Sequence, residues 1–320
     1  MSWGVGFSAL SASRRFLKES ILSDFTEQAM AIMDEISRSM RSHIAEWKSF
    51  SQEPLVQRIL RDSNRQFDEL SDKQGYIDDR DAAWRSTEKD KLSPLMKELS
   101  STELSIGMRK HITVCEEEHG YPIFGEVFIT NRHGVNVALT NHTSDYRQDD
   151  EEWWQRASRD GLYVGDVGFD ESANIFSTDI CLRIDDEDGA FMGVMKVVFD
   201  IHELVHIIGH HSDKPGMDSH HHLVWCNSTS SIIYALDFNI VPLSDGTAYF
   251  HDGELPRRNR GISMERVDPN TGERFFSIYV TSCAHHGLYG LDWTLSSNTR
   301  NQSFLGHWPT CANKSSHLFS

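Results

Sequence analysis

Residues His202-Glu203-Leu204-Val205-His206 spell H-E-x-x-H. On a helix, residues four apart share a face, so His202 and His206 could hold Zn²⁺ with Glu203 as general base, as in a metallopeptidase. The run continues through Gly209, His210 and His211. A longer zinc pattern, H-E-x-x-H-x-x-G-x-x-H, would place its third ligand at Ser212. The nearest histidine, His211, is one residue early, so the alternative metal set is His202, His206 and His211 with the third member out of register. The core motif is short, and in a chain with 17 histidines it is a weak signal. The histidines crowded between His202 and His222 would also collect Zn²⁺ or Ni²⁺ adventitiously.

A second cluster has different chemistry. Asp149, Asp150, Glu151 and Glu152 run directly into Trp153-Trp154. Two adjacent tryptophans cannot both face inward on a regular strand, because successive side chains alternate. At a helix start or on a loop they can form an aromatic wall, and acids beside it would favour an ammonium by charge and cation–π attraction. The competing reading makes the tryptophans core anchors and the acids a solvated face. Asp200, at the end of an apolar run, is open to two readings as well: ligand contact, or N-cap of the helix that follows.

The rest of the chain narrows the choice. Its 320 residues carry 31 Lys+Arg against 48 Asp+Glu, a net charge of −17, and 10% aromatic residues. Phosphate neutralisation needs clustered cations, so nucleic acid is not an expected partner. The aromatic share is too high for a disordered acidic chain. The cysteines, Cys115, Cys181, Cys226, Cys283 and Cys311, are odd in number and irregular in spacing, which argues against a disulfide framework. No apolar run is long enough to span a bilayer as a helix. The mildly apolar stretch 1–15 ends in Arg14-Arg15, the reverse of a secretory signal, and reads as a remnant of a membrane anchor. No G-x-S-x-G elbow is present, and Asp185-Asp186-Glu187-Asp188-Gly189 lacks the alternate spacing of an EF-hand loop and reads as a hairpin turn.

The elements that must position these residues follow from periodicity. Ile21, Phe25, Ala29, Ile32, Ile36, Met40, Ile44 and Trp47 recur in steps of three or four, which predicts one long helix from about Phe16 to Arg61. Residues 62–101 are charged and broken at Gly75 and Pro94, which predicts short helices and loops. Glu126–Thr130 and Val135–Thr140 are strand-like around Asn-Arg-His-Gly, and Ile175–Ile184 pairs with Phe191–Ile201 around the acidic turn. His202–His211 reads as helix. Beyond Pro215 a second strand-rich block holds SIIYALDF and FFSIYVTS, with Asp-Pro-Asn-Thr-Gly (268–272) as a tight turn. This is not a βαβ alternation.

The runs GEVFITNRHGVNVALTN, DYRQDDEEWWQRA and DGAFMGVMKVVFDIHEL together resemble the membrane-distal module of a double Cache sensor domain. HLVWCNSTSSIIYALDF and YGLDWTLS are similar to the first and last parts of its membrane-proximal module. The resemblance covers roughly residues 16–300. It implies an α+β fold, a long N-terminal helix followed by two PAS-like antiparallel-sheet modules. The division it implies is 1–15 anchor remnant, 16–110 helical spine, 111–205 distal module, 206–300 proximal module and 301–320 tail.

By resemblance the protein is a non-catalytic, extracytoplasmic sensor for an amine, amino acid or other small metabolite. It would lie on the periplasmic side of the inner membrane and need no cofactor, zinc belonging only to the peptidase alternative. The ligand residues implied are Tyr146, Arg147, Trp153, Trp154, Tyr163, Asp166 and Asp200. Glu151 stands where relatives grip a carboxylate with arginine, with Arg147 four residues earlier as the candidate substitute. A homodimer through the N-terminal helix and a receptor or kinase output domain outside this chain complete the expected partners.

Overall fold

The computed structural model describes residues 3–88, 91–171, 173–212, 221–236, 241–247, 262–267, 274–282 and 291–300. Helix α1 (Trp3–Ser51) is 49 residues long, about 74 Å at 1.5 Å per residue. It ends earlier than the periodicity predicts. Pro54 offers no N–H to continue the helix and pushes Glu53 into extended backbone (φ −62°, ψ 144°), so a separate helix α2 (Pro54–Asp68) starts with Pro54 in its first turn. Gly75 does not break the chain as expected. It lies in the first turn of α3 (Lys73–Arg85), where its N–H donates to the Asp72 cap. Helices α4 (Pro94–Ser100) and α5 (Glu103–His119) complete the helical part.

Two antiparallel sheets follow. The first contains β1 (Phe124–Asn131), β2 (Asn136–Leu139), β3 (Leu162–Val164), β4 (Gly168–Asp170), β5 (Ile175–Asp185) and β6 (Phe191–Asp200). Its order is β2-β1-β6-β5-β3, with β4 also on β5. Helix α6 (Glu152–Asp160) lies between β2 and β3, and α7 (His202–Ser212) leaves the end of β6. The second sheet, ordered β8-β7-β11-β10-β9, is built from β7 (His221–Cys226), β8 (Ile232–Ala235), β9 (Ile262–Val267), β10 (Arg274–Thr281) and β11 (Thr294–Arg300). The turn expected at 268–272 and the tail 301–320 lie outside the described residues.

One apolar core runs through both sheets. Ala29, Ile32, Ile36, Met40 and Trp47, the stripe of α1, are buried with Val127, Ile129, Ile180, Met195, Val197 and Phe199 of the first sheet. Leu223, Trp225, Ile278, Val280, Trp293 and Leu295 of the second sheet join the same core. The spine therefore occupies one face of the first sheet and leaves the other to a different set of partners. Among the described residues, no helix is long and apolar enough to cross a membrane.

Candidate functional site

Strand alternation sorts the first sheet into two faces. Met195, Val197 and Phe199 point to the spine, so Val194, Lys196, Val198 and Asp200 point away from it. On β5 the outward set includes Asp179, Cys181 and Arg183; on β1 it is Glu126, Phe128 and Thr130. Phe128, Cys181 and Val194 form a second apolar cluster with Val135, Leu139, Tyr146 and Trp153.

Both tryptophans do face this cluster, because α6 begins at Glu152 and a helix can turn neighbouring side chains to the same sheet. Trp153 meets the Phe128 ring edge-on at 5.8 Å. Trp154 meets Phe191 in the same way and donates its Nε1–H to Thr130 Oγ1 at 2.9 Å. Tyr163, on β3 opposite Cys181, carries the Arg156 guanidinium 4.4 Å above its ring.

The charges under this aromatic wall are not the ones the sequence pointed to. Lys196 Nζ lies 2.9 Å from Asp179 Oδ2, on adjacent strands, with the two side chains 13% and 27% exposed. The ammonium is 5.1 Å from the Trp153 ring centroid and 6.0 Å from that of Phe128. Burial works to lower the Lys196 pKa, but the Asp179 carboxylate outweighs it and the net direction is upward, so Lys196 is a cation at neutral pH. Burial also raises the Asp179 carboxyl, with Lys196 pulling against it. The result is a plus–minus pair held at fixed spacing beneath Trp153.

The other candidates fall elsewhere. Tyr146 is buried against Trp84, and burial raises its hydroxyl pKa. The backbone N–H groups of Tyr146 and Arg147 both donate to Asp81 Oδ1 at 3.0 Å, which pins this loop to α3. The Arg147 guanidinium pairs with Asp149 at 2.5 Å and reaches Asp78 at 3.6 Å, so it is engaged by surface acids. Asp200 lies on the outward face, but four residues from Lys196, roughly 13 Å along the strand. Its Oδ1 accepts from His202 N at 2.8 Å, two residues on, at the entry to α7.

Asp166 turns toward the second sheet. Its Oδ1 accepts from Trp293 Nε1 at 2.7 Å and its Oδ2 from Ser228 Oγ at 2.6 Å, both from the second-sheet segment. Lying between β3 and β4, Asp166 ties the first sheet to the segment that carries the second. Asp166→Ala would strand the Nε1–H of Trp293, which is fully buried. We expect a loss of about 2 kcal/mol, the range for hydrogen bonds to a charged group, read as a lower urea midpoint with altered tryptophan fluorescence. Asp166→Asn, which keeps an acceptor, should recover part of it.

The residues of the H-E-x-x-H run meet different partners. Glu203 is buried, accepts from Ser39 Oγ and lies 2.9 Å from His43 Nε2, both on α1. His202 and His206 instead gather about Tyr121, with His206 stacked on that ring at 5.0 Å. His211 Nε2 is 2.7 Å from Glu35 Oε2 on the spine. The general base and the histidine pair thus face different surroundings, and the third histidine is turned to a carboxylate.

No family model matches the chain, and no curated protein matches it. Solved structures do. The ligand-binding domain of the Pseudomonas aeruginosa PAO1 amino acid chemoreceptor PctC, in complex with GABA, is 12% identical, covers 87% of this chain and 99% of its own, and has a TM-score of 0.51. The ligand-binding domain of the Pseudomonas fluorescens chemoreceptor CtaA, with L-isoleucine, is 11% identical over 91% and 97% of the two chains, with a TM-score of 0.51. The same domain with L-serine is 12% identical over 88% and 98%, at 0.50. At these identities the likeness is one of fold. The chain has the double Cache fold, a long helix followed by two PAS-like antiparallel modules.

Proposed function

We propose that this chain is the ligand-binding part of a signal-transduction receptor, a non-catalytic sensor working on the extracytoplasmic side of a membrane. Its ligand is a small metabolite of the amino-acid or amine class, held on the outward face of the first sheet. The observation that carries this reading is the Asp179–Lys196 pair, 2.9 Å apart beneath the Trp153 ring. A core position normally holds apolar groups, because pairing two charges out of water barely repays their desolvation. A plus–minus pair under an aromatic wall is complementary to a zwitterion, whose ammonium would face Asp179 and Trp153 and whose carboxylate would face Lys196.

The fold is compatible with this role, since the similar solved domains were obtained with GABA, L-isoleucine and L-serine. A ligand stabilises the state it prefers, so closure on it would bias the β6–α7 connection that leads to the second sheet. The division into spine 16–110, distal module 111–205 and proximal module 206–300 fits that route.

The test is a thermal-shift panel on metal-stripped protein, covering amino acids, amines, carboxylates and purines. Stabilisation by amino acids or amines, lost in folded Lys196→Met, supports the reading. A shift that survives in that variant, or no shift with either class, overturns it.

A further inference from the structure

On the spine side of the first sheet, away from the proposed ligand face, three donors of different chemistry converge. His111 and Cys115 are four residues apart on α5 and so share a face. Glu46 reaches them from α1. Its Oε1 is 2.8 Å from His111 Nε2 and 2.9 Å from Cys115 Sγ, and all the donor atoms lie within 4.8 Å of one another. We propose that Glu46, His111 and Cys115 form a divalent-metal site, with zinc as its occupant, that clamps α5 to the spine.

The donor set is the first reason. Imidazole nitrogen, thiolate sulfur and carboxylate oxygen are zinc's three protein ligand types, at bond lengths of about 2.0–2.3 Å. Tetrahedral ligands at those lengths are separated by about 3.3–3.6 Å. The two contacts made by Glu46 Oε1 are shorter than that, so an ion enters by spreading the donors by about half an ångström, well within side-chain adjustment.

The second reason is orientation. His111 Nε2 stands 2.8 Å from Glu46 Oε1, which aims it at the point where the three donors meet. Its ring is held by Trp47, at 4.8 Å between centroids, and by Phe50, at 5.2 Å. A ring nitrogen packed into place beside a carboxylate and a thiol can turn to a cation seated between the three.

The third reason is the surrounding shell. The other oxygen of Glu46 is 3.3 Å from His43 Nδ1, and the far side of that ring is 2.9 Å from Glu203. Outer hydrogen bonds of this kind fix a ligating carboxylate and are part of most metal sites. Cys115 is buried, and the His111 and Glu46 side chains are 28% and 30% exposed. The Cys115 thiol donates to Glu46 Oε1.

Cobalt(II) distinguishes this site from the histidine-rich segment after β6, because only a thiolate ligand gives a near-ultraviolet sulfur-to-cobalt charge-transfer band. Chelator-stripped full chain should take up one equivalent of Co²⁺ with that band, and Zn²⁺ should bleach it. Cys115→Ser should abolish the band while circular dichroism stays native, and His111→Ala should weaken uptake at least about tenfold. Cys181→Ser, and alanine at His202, His206, His210 and His211 together, should leave the band intact. If Cys115→Ser does not fold, Glu46→Gln serves as the reporter, with the same weakening expected. Cobalt binding without a thiolate band, or a band that persists in Cys115→Ser, overturns the assignment. A ligand response without this site, or the site without a ligand response, separates it from the sensor reading.

Discussion

Asp179→Ala is expected to destabilise the protein by about 3 kcal/mol, read as a lower urea midpoint at neutral pH. The substitution leaves the Lys196 ammonium, 13% exposed, facing Trp153 and Phe128 without its carboxylate. Removing one partner of a buried pair costs about 3–5 kcal/mol, and the solvent that still reaches Asp179 sets the lower end. Glu126 is the remaining carboxylate whose charge acts on Lys196, which also moderates the loss. The double variant Asp179→Asn/Lys196→Met replaces both charges by neutral groups of similar volume and should recover most of the stability. A double-mutant cycle should therefore give a coupling well above the error of the method. Additive effects would show that the pair is not a unit. Under the proposed function, the double variant should be folded and blind to ligand, which separates recognition from stability in one protein.

The elements were legible wherever one physical signal dominated. The stripe from Phe25 to Trp47 marks the spine because each of its members meets the core. The two hairpins show in the sequence because β-rich runs flank Asn131-Arg-His-Gly134 and the acidic turn at 185–189, and Gly134 and Gly189 take the positive φ values, 77° and 81°, that those turns need. The break at Pro54 was legible too, from a residue that cannot continue a helix, but the apolar period ran across it and masked it. Helix α6 was hidden by its acids, which lie at its start where the helix dipole favours them.

The site was less legible because its parts are distant in sequence. Lys196 and Asp179 meet only through the pairing of β5 with β6. Each nevertheless left a trace, as a charge set among β-rich residues, in VMKVV and STDICL. Asp166 and Glu203 stand out by their neighbours in the chain, and their bonds to Trp293 and His43 come from elements far away in sequence. No local pattern reports that Glu46 faces His111 and Cys115, since long-range packing decides which face of α5 meets which turn of α1.

His43 should make stability fall as pH rises above neutrality. Its ring is 6% exposed, packs against Phe124 at 5.4 Å and Phe199 at 5.1 Å, and stands between Glu203 of α7 and Glu46 of its own helix. Burial lowers its pKa, but the hydrogen bonds and charges of Glu203 and Glu46 more than offset this and raise it from 6.5 to about 9. A folded pKa above the unfolded one means that the native state binds the proton more tightly. The contribution is therefore fully present below about pH 6.5 and is lost as pH rises through about 9. Its full size is roughly 3 kcal/mol, from about 1.4 kcal/mol per pKa unit. Urea midpoints of chelator-stripped protein at pH 6, 7.5 and 9 should decline across this window, and His43→Gln should start lower and lose most of the slope. The same substitution should loosen α7, because the His43 ring is, with Ser39, one of two groups of the spine that bond Glu203. Hydrogen exchange in 202–212 should then quicken relative to the β-strands. An unchanged slope in His43→Gln would assign the alkaline sensitivity to another group.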